Sequence, residues 1–243
     1  TDHLSWEDLY DFKGASLYEL SGTDALWEAK IGDLEGAGDA AKTRVDRLAF
    51  FVGKVNRRLG ARESRVESVD LSKYIDHQAR TVQSLTGPLR CDYGKGVVTV
   101  DAPCVQGACG FLKAAGPIEL GDVTIDSDND YGAVMVISLD GKPIAESKKI
   151  LVQAGTYDHP YGYKLEDMGG GKTKIVDLGG YPMNVRRIDA AVSIKGLPMG
   201  ATAVVLDGNG YPTDRDAGLE IQSGVGRLEL PADSLYTLIT PAR

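Results

Sequence analysis

Ala133-Val-Met-Val-Ile-Ser-Leu139, followed at once by Asp140-Gly141, is the stretch that decides the fold class. A nearly continuous apolar run of this length reads as a central strand covered on both faces. The Asp-Gly pair behind it is a strong two-residue hairpin signal, because both residues tolerate the positive φ such a turn demands. Ile150-Leu-Val-Gln-Ala154 follows, after the returning strand.

The same grammar extends outward in both directions. Upstream, Gly96-Val-Val-Thr-Val-Asp101 alternates until Pro103 stops it, and Val105 to Leu112 is another extended run. Ile118 and Leu120 share a phase that Gly121-Asp122 resets before Val123 and Ile125, as at a turn or bulge. Downstream come Ile188 to Ile194, Ala201 to Leu206, Leu219 to Ile221, Arg227 to Leu230 and Leu235 to Thr240. Gly169-Gly-Gly171, Gly179-Gly180, Gly208-Asn209-Gly210 and Gly224 separate them. Short strands at this spacing, with no crossover helix between them, predict an antiparallel β-sandwich, one large or two small. Residues 81–243 form this region.

Residues 1–80 read differently, as a short helical segment or linker. Asp39 can cap a helix in which Val45, Leu48, Val52, Val55 and Leu59 recur at three- and four-residue steps, ending at Gly60. A shorter helix is expected over about Thr23 to Ile31, and a third over Asp70 to Arg80 with Leu71, Tyr74 and Ile75 on one face. Such helices bury too little surface to stand alone and must lie on something else.

The 30 glycines suit a chain of turns, and a net charge of −8 disfavours binding to nucleic acid or anionic membranes. No run of eighteen apolar residues exists to form a membrane-spanning helix. The chain opens Thr1-Asp-His3, without a methionine or a signal-like apolar stretch, and so reads as a processed or truncated segment. Cys91, Cys104 and Cys109 are odd in number and read as small buried hydrophobes.

Candidate chemistry is sparse. Gly169-Gly-Gly-Lys-Thr173 resembles a phosphate loop, but the glycine required five residues before Gly171 is Glu166, and a strand follows instead of a helix. A hairpin tip accounts for it better. No Gly-x-Ser-x-Gly elbow occurs, and His3, His77 and His159 sit in no metal-binding spacing. Asp126, Asp128 and Asp130 alternate in a way that can wrap calcium, yet Asp and Asn equally make up an ordinary connection between strands. Asp207, Asn209, Asp214 and Asp216 invite the same two readings. Tyr157-Asp-His-Pro-Tyr-Gly-Tyr163 concentrates aromatics in one loop, so Tyr157, His159, Tyr161 and Tyr163 are candidates for stacking on sugar rings or sealing a domain contact.

Ser84-Leu-Thr-Gly-Pro-Leu-Arg-Cys-Asp92, Val97-Val-Thr-Val-Asp-Ala-Pro103, Gln106-Gly107 and Gly110-Phe111 together resemble the β-rich region after the catalytic barrel in large bacterial glycoside hydrolase-like proteins. Leu120-Gly-Asp-Val-Thr124, Ser138-Leu-Asp-Gly-Lys-Pro-Ile144 and Leu230-Pro-Ala-Asp-Ser-Leu-Tyr236 are similar to later strands of such accessory sandwiches. Cys104 departs from the pattern, which has a basic or polar residue there. A barrel needs roughly 250 residues, far more than precede the likeness, so the implied catalytic carboxylates lie outside this chain. The resemblance implies a non-catalytic accessory module that braces a catalytic domain or contacts polysaccharide, in a secreted or periplasmic protein. The alternative is a structural or adhesion-type protein-interaction module, with calcium as its one candidate cofactor.

Overall fold

The computed structural model describes residues 46, 48–54 and 70–241. The chain divides into two compact units, Thr1–Val98 and Thr99–Arg243. The described residues are mainly β, with antiparallel strand pairing and little helix.

In the first unit, helix α1 (Ala49–Val52) is a single turn, and β1 (Ile75–Asp76), β2 (Thr81–Gln83) and β3 (Leu89–Asp92) form an antiparallel meander. Val52, Ile75, Val82 and Tyr93 are its buried cluster, flanked by Leu48, Phe51, Leu71, Tyr74 and Cys91. Two expectations are corrected here. The helix expected to run on to Gly60 breaks at Gly53, whose backbone is fully extended, and the Val52 carbonyl accepts from the Leu85 N–H at 2.7 Å. The helix expected over Asp70 to Arg80 is a 3-10 turn (Leu71–Lys73) followed by β1. Local carboxylates compete with the helical ladder: Asp70 accepts from Ser72 N, and Asp76 accepts from the N–H groups of Gln78 and Ala79. The helix expected over about Thr23 to Ile31 lies outside the described residues, as does the Asp39 cap.

The second unit is a two-layer sandwich. β4 (Val97–Ala102), β5 (Val105–Gly110), β8 (Gly132–Ser138), β9 (Ile150–Gly155), β19 (Tyr236–Thr240), β15 (Thr202–Leu206) and β16 (Pro212–Asp216) lie side by side in one sheet, in that spatial order. The other layer is β17 (Glu220–Gln222), β18 (Val225–Glu229), β14 (Ala190–Lys195), β7 (Val123–Ser127) and β6 (Ile118–Glu119). Buried residues alternate along the strands of both layers: Val134 and Val136, Ile150 and Val152 in one, Val123 and Ile125, Val192 and Ile194 in the other. The decisive run Ala133–Leu139 becomes the inner strand β8, between β5 and β9. One face of β8 is fully buried and the other half-buried. The phase reset at Gly121-Asp122 is a two-residue turn joining β6 to β7, with Glu119 opposite Thr124.

The two-residue hairpin expected at Asp140-Gly141 does not form. β8 and β9 do pair, but the loop between them includes a 3-10 turn (Ile144–Glu146). Asp140 organises that loop. Its carboxylate accepts from the hydroxyls of Ser138 (2.9 Å) and Ser147 (2.8 Å) and the backbone N–H groups of Lys142 and Lys148. The Lys148 N–H and the Ser147 hydroxyl, aided by the other two donors, hold this carboxyl far below the usual carboxylate range. A depressed folded pKa stabilises the protein above the unfolded value, about 3.9, and that stabilisation is lost as pH falls towards the folded value. Asp140→Asn is therefore expected to lower Tm at pH 7, with the gap from wild type closing below about pH 4. A gap independent of pH would contradict the role assigned to the charge.

Candidate functional site

Between β9 and β14 the chain leaves the sandwich and returns as one long arm. β10 (Asp158–Tyr161) pairs with β13 (Gly180–Val185), and β11 (Lys164–Asp167) pairs with β12 (Thr173–Asp177). The triple glycine that mimics a phosphate loop is the tip: Met168 N–H donates to Lys172 O, and Lys172 N–H to Gly169 O. The two ribbons meet at Gly162 and Gly179. A Cβ on Gly179, at φ +65°, would collide with the carbonyl of Tyr161 and come within 2.7 Å of Tyr163 N, so glycine is required at that elbow.

The arm has no core of its own. Strands β11, β12 and β13 are exposed along their whole length. From Tyr157 to Val185, ten large apolar residues are 41–93% exposed, with Tyr181 at 93%, Leu178 at 71% and Tyr161 at 65%. Together they present on the order of 1,000 Å² of largely apolar surface, divided between the two faces of the ribbons, since strand neighbours such as Ile175 and Val176 point to opposite sides.

The predicted aromatic candidates all belong to this arm. Tyr157 and Tyr161 are exposed, His159 lies on β10 opposite Asn184, and Tyr163 is half-buried at the elbow. The rings of His159 and Tyr163 approach to 5.8 Å at a 50° tilt. Sequence reasoning missed Tyr181, Leu178, Met168 and Ile175, which complete the surface. Their neighbours Gly179-Gly180 were read only as a break, and nothing local distinguishes an outward-facing strand from a core strand.

The base of the arm is clamped by the segment first considered for calcium. Ser127 and Asn129 are buried, alternating with outward-facing Asp126 and Asp128. Asn129 Nδ2 donates to Arg187 O at 2.9 Å, and its Oδ1 accepts from Asp189 N at 2.8 Å. Ser127 Oγ donates to Asp189 O, as does Asp128 N. The Asp128 carboxylate lies 3.6 Å from Lys113 Nζ, and Asp130 is half-buried beyond it. Among the described residues no three His, Cys, Asp or Glu side chains are grouped as a metal would require. With Lys113 already beside Asp128, millimolar calcium or EDTA is expected to leave Tm unchanged. A calcium-dependent rise lost in Asp126→Asn would assign the site to the metal. In the second cluster Asp207 accepts from Asn209 N and Tyr211 N, and Asp216 from Gly218 N, as turn residues do.

The cysteines are free and half-buried. Cys104 lies in the turn before β5, not in one strand with Cys109. Burial, assisted by the Asp92 charge, pushes the Cys91 thiol up and away from thiolate chemistry.

The motif residues behind the glycoside hydrolase resemblance have structural work in this chain. Asp101 accepts from Gly121 N, and the buried Gln106 accepts from Asp122 N at 2.8 Å, so the two together fasten the β6–β7 turn. Ser84 Oγ accepts from Leu89 N in the β2–β3 turn. Comparison with protein-family models, curated proteins and solved structures returns no match to this chain. Among the described residues no helix is long and apolar enough to cross a membrane.

Proposed function

We propose that this chain is a non-catalytic accessory β-sandwich of a carbohydrate-active enzyme, and that its arm braces the catalytic domain. The observation carrying this reading is the arm itself. A two-stranded ribbon without a covered face is marginal in water, so its ordered form calls for a surface to lie against. One face of the arm carries about half of that exposed area, which is of the order of one side of an inter-domain contact burying roughly 600–1,500 Å² in total.

Composition favours a protein surface over polysaccharide as the occupant. The arm carries Tyr157, Tyr161, Tyr181, Met168 and Met183, then Arg186 and Arg187 at its base, which are residue types enriched at protein interfaces. From Thr156 to Arg187 it holds five cations and four anions, in a chain whose net charge is −8. Balanced charge suits an inter-domain contact, which is more polar than an obligate one. A sugar platform needs rings presented flat on one face, whereas the His159 and Tyr163 rings are tilted and Tyr163 is half-buried. The enzyme assignment rests on the sequence resemblance, which also carries the secreted or periplasmic location. The same arm would serve a structural or adhesion-type module, and the two readings separate on catalysis.

The test is expression of the longest reading frame containing this chain, assayed on a panel of aryl glycosides and polysaccharides. Turnover by the long form, with none by residues 81–243, is expected. Leu178→Ser with Tyr181→Ser should leave the Tm of the isolated chain within about 2 °C, since exposed substitutions cost little. In the long form the same pair is expected to shorten the thermal half-life of activity several-fold. No glycoside turnover by the long form would leave the adhesion-type reading in its place.

A further inference from the structure

Beside the base of the arm, whose Arg187 lies close enough to act on Asp233, a cleft of about 500 Å³ opens at the edge of the larger sheet over β15, β16 and the segment entering β19. We infer that it binds a neutral polyhydroxylated ligand, a terminal saccharide residue, held by Arg215 and Asp233 over an apolar floor. The cleft adjoins the base of the arm but is lined by none of its exposed ribbon residues, and the inference does not depend on the docking proposed for them.

The accessible apolar surface of the cleft is the exposed Leu235, with Val205 and Leu206 buried behind it. At the rim Arg215 Nη1 lies 2.7 Å from Asp233 Oδ1, and both side chains remain about half exposed. The walls are held from behind. Thr213 Oγ1 donates to Val205 O at 2.7 Å, and Ser234 Oγ donates to the carbonyls of Leu206 and Tyr236. These bonds fix β16 and the Asp233–Leu235 corner, so the cleft is formed before any ligand arrives. Its volume lies within the ~300–1,000 Å³ typical of small-molecule sites.

The charge pattern selects the ligand class. An anion gains little, because the guanidinium is already neutralised by Asp233, and the Asp207 carboxylate bordering the cleft offsets the second nearby cation, Arg187. A cation meets the converse difficulty at Arg215. A wholly apolar ligand would strip water from the ion pair without replacing its hydrogen bonds. A vicinal diol suits both halves: one hydroxyl accepts from a guanidinium N–H while its neighbour donates to the carboxylate. Arg215 also holds the Asp233 carboxyl below its usual range, so the acceptor stays ionised through neutral and mildly acidic pH. The C–H face of the ring would then lie on Leu235.

The experiment is ligand-observed NMR with the full chain against methyl glycosides of glucose, galactose, mannose, xylose, arabinose, rhamnose and fucose, with inorganic phosphate and hexane-1,6-diol as comparison probes. Binding of at least one glycoside with Kd on the order of 1 mM is expected, with phosphate silent. Asp233→Asn and Arg215→Met should each weaken it about tenfold or more. Tyr161→Ala on the arm should leave it unchanged. Both rim side chains are half exposed, so an unchanged melting curve will certify that the variants fold; Arg215→Lys, which keeps the charge and loses the fork, is the fallback and should also weaken binding. No glycoside binding, phosphate binding in preference, or glycoside binding that survives both Asp233→Asn and Arg215→Met would overturn the inference. Glycoside turnover by the longer polypeptide is scored separately, so failure of the accessory-module reading and failure of this cleft give different results.

Discussion

Gly196→Ala is expected to cost about 3–5 kcal/mol of stability and to lower Tm by about 10 °C or more. Gly196 follows β14 with φ +82°, and its N–H donates to Gly224 O at 2.9 Å. A Cβ there would run into the carbonyl oxygen of Ala145 and sit 2.7 Å from its Cα. The obstacle is backbone, in the 3-10 turn whose Ile144 is fully buried, so neither side can yield without opening the core. Two costs add: the left-handed conformation and the overlap. Gly141→Ala separates them. It has φ +73° and nothing within 4 Å of the added carbon, so only the conformational part, about 1–2 kcal/mol, is expected. Thermal melts of both variants check the pair, and equal losses would refute the assigned clash.

Asn129→Ala is expected to cost about 2–4 kcal/mol and to loosen the arm. Asn129 is 7% exposed and serves two backbone groups at once, the Arg187 carbonyl and the Asp189 N–H. Truncation strands both in a site with little room for water, and an unmade buried hydrogen bond costs more than a made one contributes. Those partners mark where the arm rejoins the sandwich, so local opening should exceed global destabilisation. Tm should fall by about 5–10 °C. Limited proteolysis between Tyr157 and Arg186 should quicken more than cleavage within β8 or β9. Uniform acceleration would make Asn129 an ordinary core residue and not the clamp of the arm.

Much of the fold was legible because strand formation at these positions is a local matter. Alternation in Val123–Ser127 and the apolar run of Ala133–Leu139 record which faces are buried, and burial dictates residue type. The errors share a different cause. Asp140-Gly141 has the chemistry of a tight turn, but four hydrogen bonds converging on its carboxylate stabilise a wider loop. Leu71, Tyr74 and Ile75 fit a helical stripe equally well as a 3-10 turn and a strand. Side-chain to backbone bonds decided between those alternatives, and their partners are visible only once the chain is folded.

The candidate sites were legible in part. The aromatic run from Tyr157 to Tyr163 announced a surface feature, but Leu178 and Tyr181 joined it through the pairing of β10 with β13. Asp126, Asp128 and Asp130 attracted notice as charges, while the intervening Ser127 and Asn129 hold the base of the arm. Arg215 and Asp233 are eighteen residues apart in sequence and have no local signature.

By itself, then, the sequence determined an antiparallel β-sandwich and the elements that compose it, because the period of burial is written into the order of apolar residues. Only the tertiary structure decided that one strand-forming stretch projects as an arm. Strand propensity is the same whether or not a second layer covers the strand, and that layer is supplied by residues distant in sequence.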